Sequence, residues 1–266
     1  MPRLKRSPDE QAAAEARGPD YVEALARGLS VLQAFGEAGG GLGLSEIAGR
    51  VDLPRATVRR TLFTLAALGF VARDDKRFRL TPDVLKLANA YLTSNGLSQV
   101  LQAACEQVTA RLGQACSAAV LKDKEVVFIA RARSQGILSV GLEVGYRLPV
   151  HCTSVGRAIL SGHGDEDLDL ALRDLDPVAL TERTLTDAGS IKAAILSARF
   201  QGYCIVDQEA EIGFRSIAVP VRRKDGAVAA ALNIGAHAET VSIGRMIDEF
   251  LPVLLEAAAR AEKLIV

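Results

Sequence analysis

The sequence predicts an α+β protein in two parts: a small helical unit that ends in a β-hairpin, then an antiparallel sheet flanked by helices. Three observations predict it. The chain has 266 residues, more than one ordinary domain needs, so two hydrophobic cores are expected. Apolar residues recur at helical spacing between Tyr21 and Leu68. From Ser117 onward, short apolar runs alternate with turn residues, the pattern of strands. Hydrophobic residues make up 49% of the chain and charged residues 24%, values of a folded soluble protein rather than a disordered one.

Residues 1–19 are polar, Ala-rich and without period, and read as a disordered tail. Their basic start is followed by neither an apolar core nor a cleavage site, and no run approaches the roughly 20 apolar residues needed to cross a bilayer. A cytoplasmic protein with no membrane partner is expected. The four cysteines, Cys105, Cys116, Cys152 and Cys204, are far apart and contain no C-x-x-C pair, which excludes a zinc knuckle or a thioredoxin-type motif.

The first unit is expected over residues 20–81. A helix from Tyr21 to Phe35 carries Tyr21, Leu25, Leu29, Leu32 and Phe35 as one apolar stripe, and the run Gly39–Gly43 stops it. A short helix follows at Leu44–Val51. Asp52-Leu53-Pro54 breaks and restarts the chain, because proline suits a helix's first turn. The next helix, Pro54–Leu68, gathers Val58, Thr61, Leu62, Leu65 and Leu68 on one face at 100° per residue. Its other face holds Ala56, Arg59, Arg60 and Phe63, with Arg55 and Thr57 near the start. A lone arginine on such a face is ordinarily just solvated. Several, grouped early on a helix that follows a short helix and a tight turn, make a helix-turn-helix arrangement that fits a major groove. Phe63 either touches thymine methyls or packs on a neighbouring helix.

Phe70–Arg73 and Arg77–Leu80 read as two short strands turning at Asp74-Asp75-Lys76, with Phe78 and Leu80 inward and Arg77 and Arg79 outward. A basic hairpin directly after such a helix is the wing of a winged helix, placed to meet the DNA backbone or the minor groove. From Arg50 to Leu80 there are eight basic and three acidic residues, a net of +5 in a chain whose formal net charge is zero. The DNA-facing set is therefore Arg55, Ala56, Thr57, Arg59 and Arg60 on the helix, with Arg73, Lys76 and Arg77 on the hairpin.

A linker helix is expected over residues 82–96, capped by Thr81 and started by Pro82. Its apolar side, Val84, Leu85, Ala88 and Leu92, is either a dimer contact or packing on its own domain. Residues 97–266 form the second unit. A helix at Leu97–Leu112 leads to strands at Ser117–Leu121, Glu125–Arg131 and Gly136–Leu142. A loop from Gly145 then enters a helix capped near Thr153 or Ser154, a start whose free amides favour an anion. Helices near Glu166–Leu172 and Ser190–Gln201, strands at Tyr203–Asp207, Arg215–Arg222 and Ala227–Gly235, and a long C-terminal helix with Ile243, Ile247, Phe250, Leu254 and Ala261 aligned complete the chain.

Nothing here makes a catalytic constellation. Asp207, Glu209 and Glu211 would share one side of a strand, but a salt-bridged loop with Arg215 explains them more simply. His151 beside Cys152 does not become a nucleophile–base pair by adjacency alone. His151, His163 and His237 have no metal-ligand spacing, and no cofactor motif is present.

Several stretches resemble the IclR-type transcription regulators. In the first unit they are Asp20-Tyr21-Val22 with Leu25-Ala26-Arg27-Gly28-Leu29, Leu44-Ser45-Glu46-Ile47-Ala48, and the wing. In the second they are Val144–Pro149 with Thr153–Arg157, Asp207–Val221, and Leu232-Asn233-Ile234. The likeness runs from Asp20 to Val266 and is greatest to the subgroup that controls aromatic-acid breakdown through the β-ketoadipate pathway. It implies a homodimer or dimer of dimers on palindromic double-stranded operator DNA, RNA polymerase as a further partner, and a GAF-like effector domain holding a small organic acid. Family ligands touch positions matching Gly145, Tyr146, Ser216, Asn233 and Gly235. Many members have Cys at Ser216 and Ser at Asn233 or Gly235, so the pocket is not inherited intact.

A buried carboxylate wants charge-assisted donors, and arginine offers a two-pronged one. Arg131 and the helix start at Thr153 and Ser154 are the candidate anchors. Ser216 and Asn233 would then read hydroxyl or keto groups, and Arg147 and Arg215 are assigned structural roles. The effector class expected is protocatechuate, 4-hydroxybenzoate or β-ketoadipate. Two rival functions are a thiol-based redox regulator using the four cysteines and a small-molecule enzyme with an appended helical domain.

Overall fold

A computed structural model describes residues 18, 20–36, 40–133 and 143–265. The expected strand at Gly136–Leu142 and nearly all of the expected tail lie outside these residues. The chain divides into two compact units, Met1–Ala90 and Tyr91–Val266.

In the first unit, α1 (Glu23–Gln33), α2 (Leu44–Arg50) and α3 (Arg55–Ala67) pack with a three-stranded sheet of β1 (Leu42–Gly43), β2 (Val71–Asp74) and β3 (Arg77–Leu80), in the order β1-β3-β2. Val31, Phe35, Ile47, Val58, Leu62, Leu65, Val71 and Phe78 form its core. The chain reverses between α2 and α3 at Asp52, whose φ is +48°, a conformation a short polar side chain tolerates. Glu46 accepts the Gly43 amide at the start of α2, which satisfies one of that helix's orphan donors.

The α1 stripe needs correcting. Leu32 and Phe35 turn inward with Val31, but Tyr21, Leu25 and Leu29 stay exposed. The helix thus carries two apolar strips, and periodicity alone merged them. Leu68 is exposed because it caps α3 instead of continuing it. β1, hidden in the glycine-rich run, pairs Leu42 with Phe78 and Gly43 with Arg77. Beyond the wing, Pro82–Val84 is a single 3₁₀ turn under the Thr81 cap, and α4 (Leu85–Ser94) buries none of its residues.

The second unit is a six-stranded antiparallel sheet. Its strands are β4 (Cys116–Lys122), β5 (Glu125–Ala132), β6 (Arg147–Pro149), β7 (Cys204–Asp207), β8 (Phe214–Arg222) and β9 (Val228–His237), in the order β6-β5-β4-β9-β8-β7. β6 lies in what reads as a loop; it is three residues long, too short for alternation to be visible. One face of the sheet, with Ile217, Val219, Leu232 and Ile234, packs on α5 (Gly96–Leu112) and the C-terminal helix. The other packs on α6 (Ser154–Leu160), α7 (Asp165–Arg173) and α8 (Ala188–Gln201) through Ala119, Phe128, Ala218 and Ala231. The buried core of the first face is apolar, mixing Ile, Val and Leu with alanines. Alanine, glycine and small polar residues occupy much of the second, and that face carries the candidate effector residues.

The C-terminal helix is not continuous as expected. A helical turn at Ile243–Arg245 opens into a π-helical turn at Met246–Phe250 before α9 (Leu251–Glu262). Pro252 has no N–H and its ring crowds the preceding turn, which breaks the regular ladder there. The phase shift leaves Ile243 exposed and buries Met246, while Phe250, Leu254 and Ala261 point inward as expected.

Candidate functional site

The start of α3 presents Arg55, Ala56, Arg59 and Arg60 to solvent, while Thr57 is half-buried. None of the three arginines has an ion pair among the described residues. Arg59 lies over the Phe63 ring, 5.7 Å from its centroid. Phe63 is 56% exposed, so it does not pack into the core. On the hairpin, Lys76 and Arg79 are exposed and unpaired among the described residues. Arg73 Nε donates to the Asp75 carbonyl at 2.8 Å. Arg77 is anchored: its Nε donates to the Gly41 carbonyl at 2.7 Å and its guanidinium stands 3.5 Å from Glu46. It ties β3 to the start of α2, whereas Arg79, outside the candidate set, keeps its guanidinium free among the described residues.

In the second unit the strand register assembles the polar residues. Arg131 on β5, Ser117 on β4, Asn233 on β9, Ala218 on β8 and Cys204 on β7 are successive cross-strand partners. They therefore share one face of the sheet. The next row holds Gly235, Ser216 and Val206. Ser154, at the start of α6, bonds Ser216 hydroxyl to hydroxyl at 2.8 Å. Ser117, Asn233, Ser216 and Ser154 are all buried.

Among the described residues, two buried polar atoms of this row have no hydrogen-bond partner: Arg131 Nε and Asn233 Oδ1. Leaving such groups unmet costs about 1–3 kcal/mol each. Arg131 Nη1 reaches the Ser117 hydroxyl only at 3.5 Å. Its backbone is clamped by Gln102, which accepts from the amide and donates to the carbonyl, each at 3.0 Å. Burial pulls the Arg131 pKa down from its ordinary value, with the Glu143 charge opposing. An anion beside the guanidinium would relieve that penalty.

The remaining candidates divide. A Cβ at Gly235 would stand 2.2 Å from Phe214 Cζ, so a side chain there requires the Phe214 ring to shift. The Phe214 ring thus covers that end of the row. The Thr153 hydroxyl is spent as a cap, accepting from the Gly156 amide at 3.2 Å and donating to the Pro149 carbonyl at 3.1 Å. Gly145 and Tyr146 lie at the sheet edge, where their backbone pairs with Phe128, and the Tyr146 side chain is exposed. Ser117 and Phe214 were not among the candidates. Alternation along their strands places both on the site face once the register is known.

Arg147 and Arg215 are structural: Arg147 pairs with Glu125 at 2.7 Å and Arg215 with Asp207 at 2.8 Å. The carboxylates 207, 209 and 211 do not share one side of a strand, because β7 ends at Asp207 and Gln208 turns to a φ of +64°. Glu209 instead takes a two-pronged bond from Arg157, 2.6 Å on each arm, with residue exposures of 7% and 2%. Arg157 also donates to the His151 carbonyl at 2.7 Å, and Glu209 accepts the Leu185 amide at 3.0 Å. This pair fixes the start of α6, and with it Ser154, to the 181–185 loop.

His151 is buried beside this pair, and its Nε2 lies 3.1 Å from the Val178 carbonyl. Burial lowers its pKa from the ordinary 6.5, and the Arg157 charge lowers it further against the Val178 bond and Glu209. The imidazole is therefore neutral in the folded state. Its contribution to stability is complete above pH 6.5 and is lost as pH falls through the lower folded-state value. We expect urea stability of wild type to fall more steeply below pH 6.5 than that of His151→Gln, by up to about 1.4 kcal/mol per pH unit. Parallel slopes would contradict a neutral buried His151.

All four cysteines are free and buried. Burial pushes Cys152 up to about 11 and Cys204 up to about 12. The Cys116 hydrogen bond, followed by burial, raises Cys105 well above its ordinary value. Because the thiolate is the reactive form, the raised pKa values of Cys105, Cys152 and Cys204 disfavour redox sensing by these three. In the folded protein at pH 8, Cys152 should react with a disulfide reagent roughly 100-fold more slowly than an unperturbed thiol. All four should label once the chain is unfolded in denaturant. Fast labelling of any one in the native state would restore the redox alternative.

Known proteins match both halves. The IclR helix-turn-helix domain matches residues 24–75 and the bacterial transcriptional regulator IclR C-terminal domain matches residues 89–262. The Pca regulon regulatory protein of Pseudomonas putida is 41% identical over 258 residues, covering 97% of this chain and 89% of that protein. The p-hydroxybenzoate hydroxylase transcriptional activator of Acinetobacter baylyi is 34% identical over 256 residues, 94% of each chain. The crystal structure of an IclR homolog complexed with 4-hydroxybenzoate, from Microbacterium hydrocarbonoxydans, is 28% identical with a TM-score of 0.78, covering 91% of this chain and 99% of that one. These relatives are transcription regulators rather than enzymes, and no helix among the described residues is long and apolar enough to cross a membrane. A winged helix-turn-helix with a free basic face, a sheet domain with a buried polar row, and matches to both family domains together place this chain in the IclR family of bacterial transcriptional regulators.

Proposed function

We propose that this chain is a cytoplasmic, ligand-responsive transcription regulator of aromatic-acid catabolism whose effector is a small organic acid such as protocatechuate, 4-hydroxybenzoate or β-ketoadipate. The observation that carries the effector site is the polar row Arg131–Ser117–Asn233, with Arg131 Nε and Asn233 Oδ1 lacking partners among the described residues. Arg131 receives the carboxylate; Asn233, Ser216 and Ser154 meet the polar groups at the far end. Arg131 and Asn233 stand two strands apart, roughly 10 Å, a span suited to a small acid with polar groups at both ends. The names of the relatives, which concern Pca and p-hydroxybenzoate regulation, support the same chemical class.

On the DNA side, Arg55, Arg59 and Arg60 enter a major groove, and Lys76 and Arg79 meet phosphates. The protein acts as a homodimer, or a dimer of dimers, on a palindromic operator. Exposed apolar residues on α1 (Leu25, Leu29) and α4 (Leu85, Leu87) support a second copy as the partner. The acid favours one state of the effector unit and so shifts operator affinity or the contact with RNA polymerase.

Calorimetric titration of the full chain with a panel of aromatic and dicarboxylic acids tests the effector reading, each mixture being checked afterwards for product. Saturable binding of one acid without turnover supports it; turnover of a bound acid would overturn it. For the DNA side, Arg59→Ala or Arg60→Ala should relax discrimination at one base position by roughly 1–3 kcal/mol if the contact is bidentate. Lys76→Ala should weaken all sequences alike with a shallower salt slope. Unchanged DNA binding in all three variants would contradict the groove assignment.

A further inference from the structure

Phe63 is an anomaly on α3. Its neighbours Val58, Leu62 and Leu65 fill the core, yet this aromatic ring remains 56% exposed. A helix side chain leans toward the N-terminus and covers the turn before its own Cα. Phe63 therefore lies over the turn that carries Arg59, four residues earlier, and the Arg59 Cζ sits 5.7 Å from the ring centroid. That separation is within the range of a cation–π contact. Arg59 has no carboxylate partner among the described residues.

A guanidinium can be held in two ways. A carboxylate takes its N–H edges, whereas an aromatic ring takes its π face and leaves those in-plane donors free. An otherwise free arginine samples many rotamers, and fixing it on binding costs affinity. A ring beneath the guanidinium removes part of that cost without using any donor needed by a base edge.

We propose that Phe63 is a positioning residue for base readout: its ring is the platform that presents the in-plane donors of Arg59 to a base with two acceptors, guanine, in the major groove. This rests on the reading of α3 as the recognition helix. Phe63 thus sets specificity through Arg59, without itself reading a base.

The test uses the full-length protein and duplexes selected by it from a random-sequence library, with the affinity of every single-base variant measured. Arg59→Ala first identifies the base position that Arg59 reads. Phe63→Leu, which keeps an apolar residue at an exposed position, should lose discrimination at that same position by about 2–5-fold, the range for an exposed stack. Its salt slope should match wild type, and Phe63→Tyr should restore discrimination. In the double variant Phe63→Leu should cost nothing further at that position. If Arg59→Ala relaxes one position while Phe63→Leu discriminates as wild type does, the platform is wrong and the recognition helix stands. Additive loss at a different position would mean that Phe63 touches DNA itself, overturning the inference. If Arg59→Ala relaxes no position, the recognition reading of Arg59 fails and the inference falls with it.

Discussion

Replacing Glu209 with alanine is expected to destabilise the second unit by about 3–5 kcal/mol, the cost of breaking a buried pair by removing one partner. Among the described residues, Arg157 would keep a buried charge with only the His151 carbonyl to meet it, and the Leu185 amide would lose its acceptor. The Thr184 hydroxyl bond to the Glu209 carbonyl, 2.6 Å, would survive because it uses backbone. Against a typical domain stability of about 5–15 kcal/mol, the loss is large. Glu209→Gln keeps shape and an acceptor but removes the charge, so it should fall between alanine and wild type. Removing Asp169 from its solvent-exposed pair with Lys192 should change little. Urea unfolding of the three variants checks the order; a Glu209→Ala loss of under about 1 kcal/mol would mean that the pair is not a structural hub.

The second large effect is on the acid. Arg131→Met keeps the unbranched stem and removes the only arginine of the polar row. A hydrogen bond to a charged group is worth about 1.5–3 kcal/mol, so acid affinity should fall roughly 10- to 150-fold. Stability should not suffer comparably, because Arg131 Nε has no partner to lose among the described residues and Gln102 holds the backbone rather than the guanidinium. Asn233→Leu should weaken binding less, through loss of neutral hydrogen bonds only. Acid affinity unchanged in Arg131→Met would place the carboxylate elsewhere.

How far these sites could be read from sequence depends on the distance over which each was encoded. The helix-turn-helix and wing are local: Val58, Leu62 and Leu65 repeat at helical spacing, Pro54 restarts the chain, and Phe78 alternates with Arg77 and Arg79. The polar row is not local. Arg131, Ser117 and Asn233 come together through strand register, and a single-residue slip would send each to the other face. The Arg157–Glu209 pair spans 52 positions and joins a helix to a loop, so neither partner predicts the other. Asp207, Glu209 and Glu211 look equivalent by spacing; the turn at Gln208 makes them different. On α1, Leu25 and Leu29 share a period with Phe35, and only packing separates the exposed strip from the core.

An acid held at the Arg131 row is expected to change how α3 and the wing hold DNA. The most direct test measures operator affinity of the full-length protein by fluorescence anisotropy, with and without the acid identified by calorimetry, for wild type and Arg131→Met. An acid-dependent shift is expected in wild type and not in Arg131→Met at the same acid concentration, with both proteins binding operator equally well without acid. An identical shift in both proteins, or an acid that saturates wild type without altering operator affinity, would contradict this expectation.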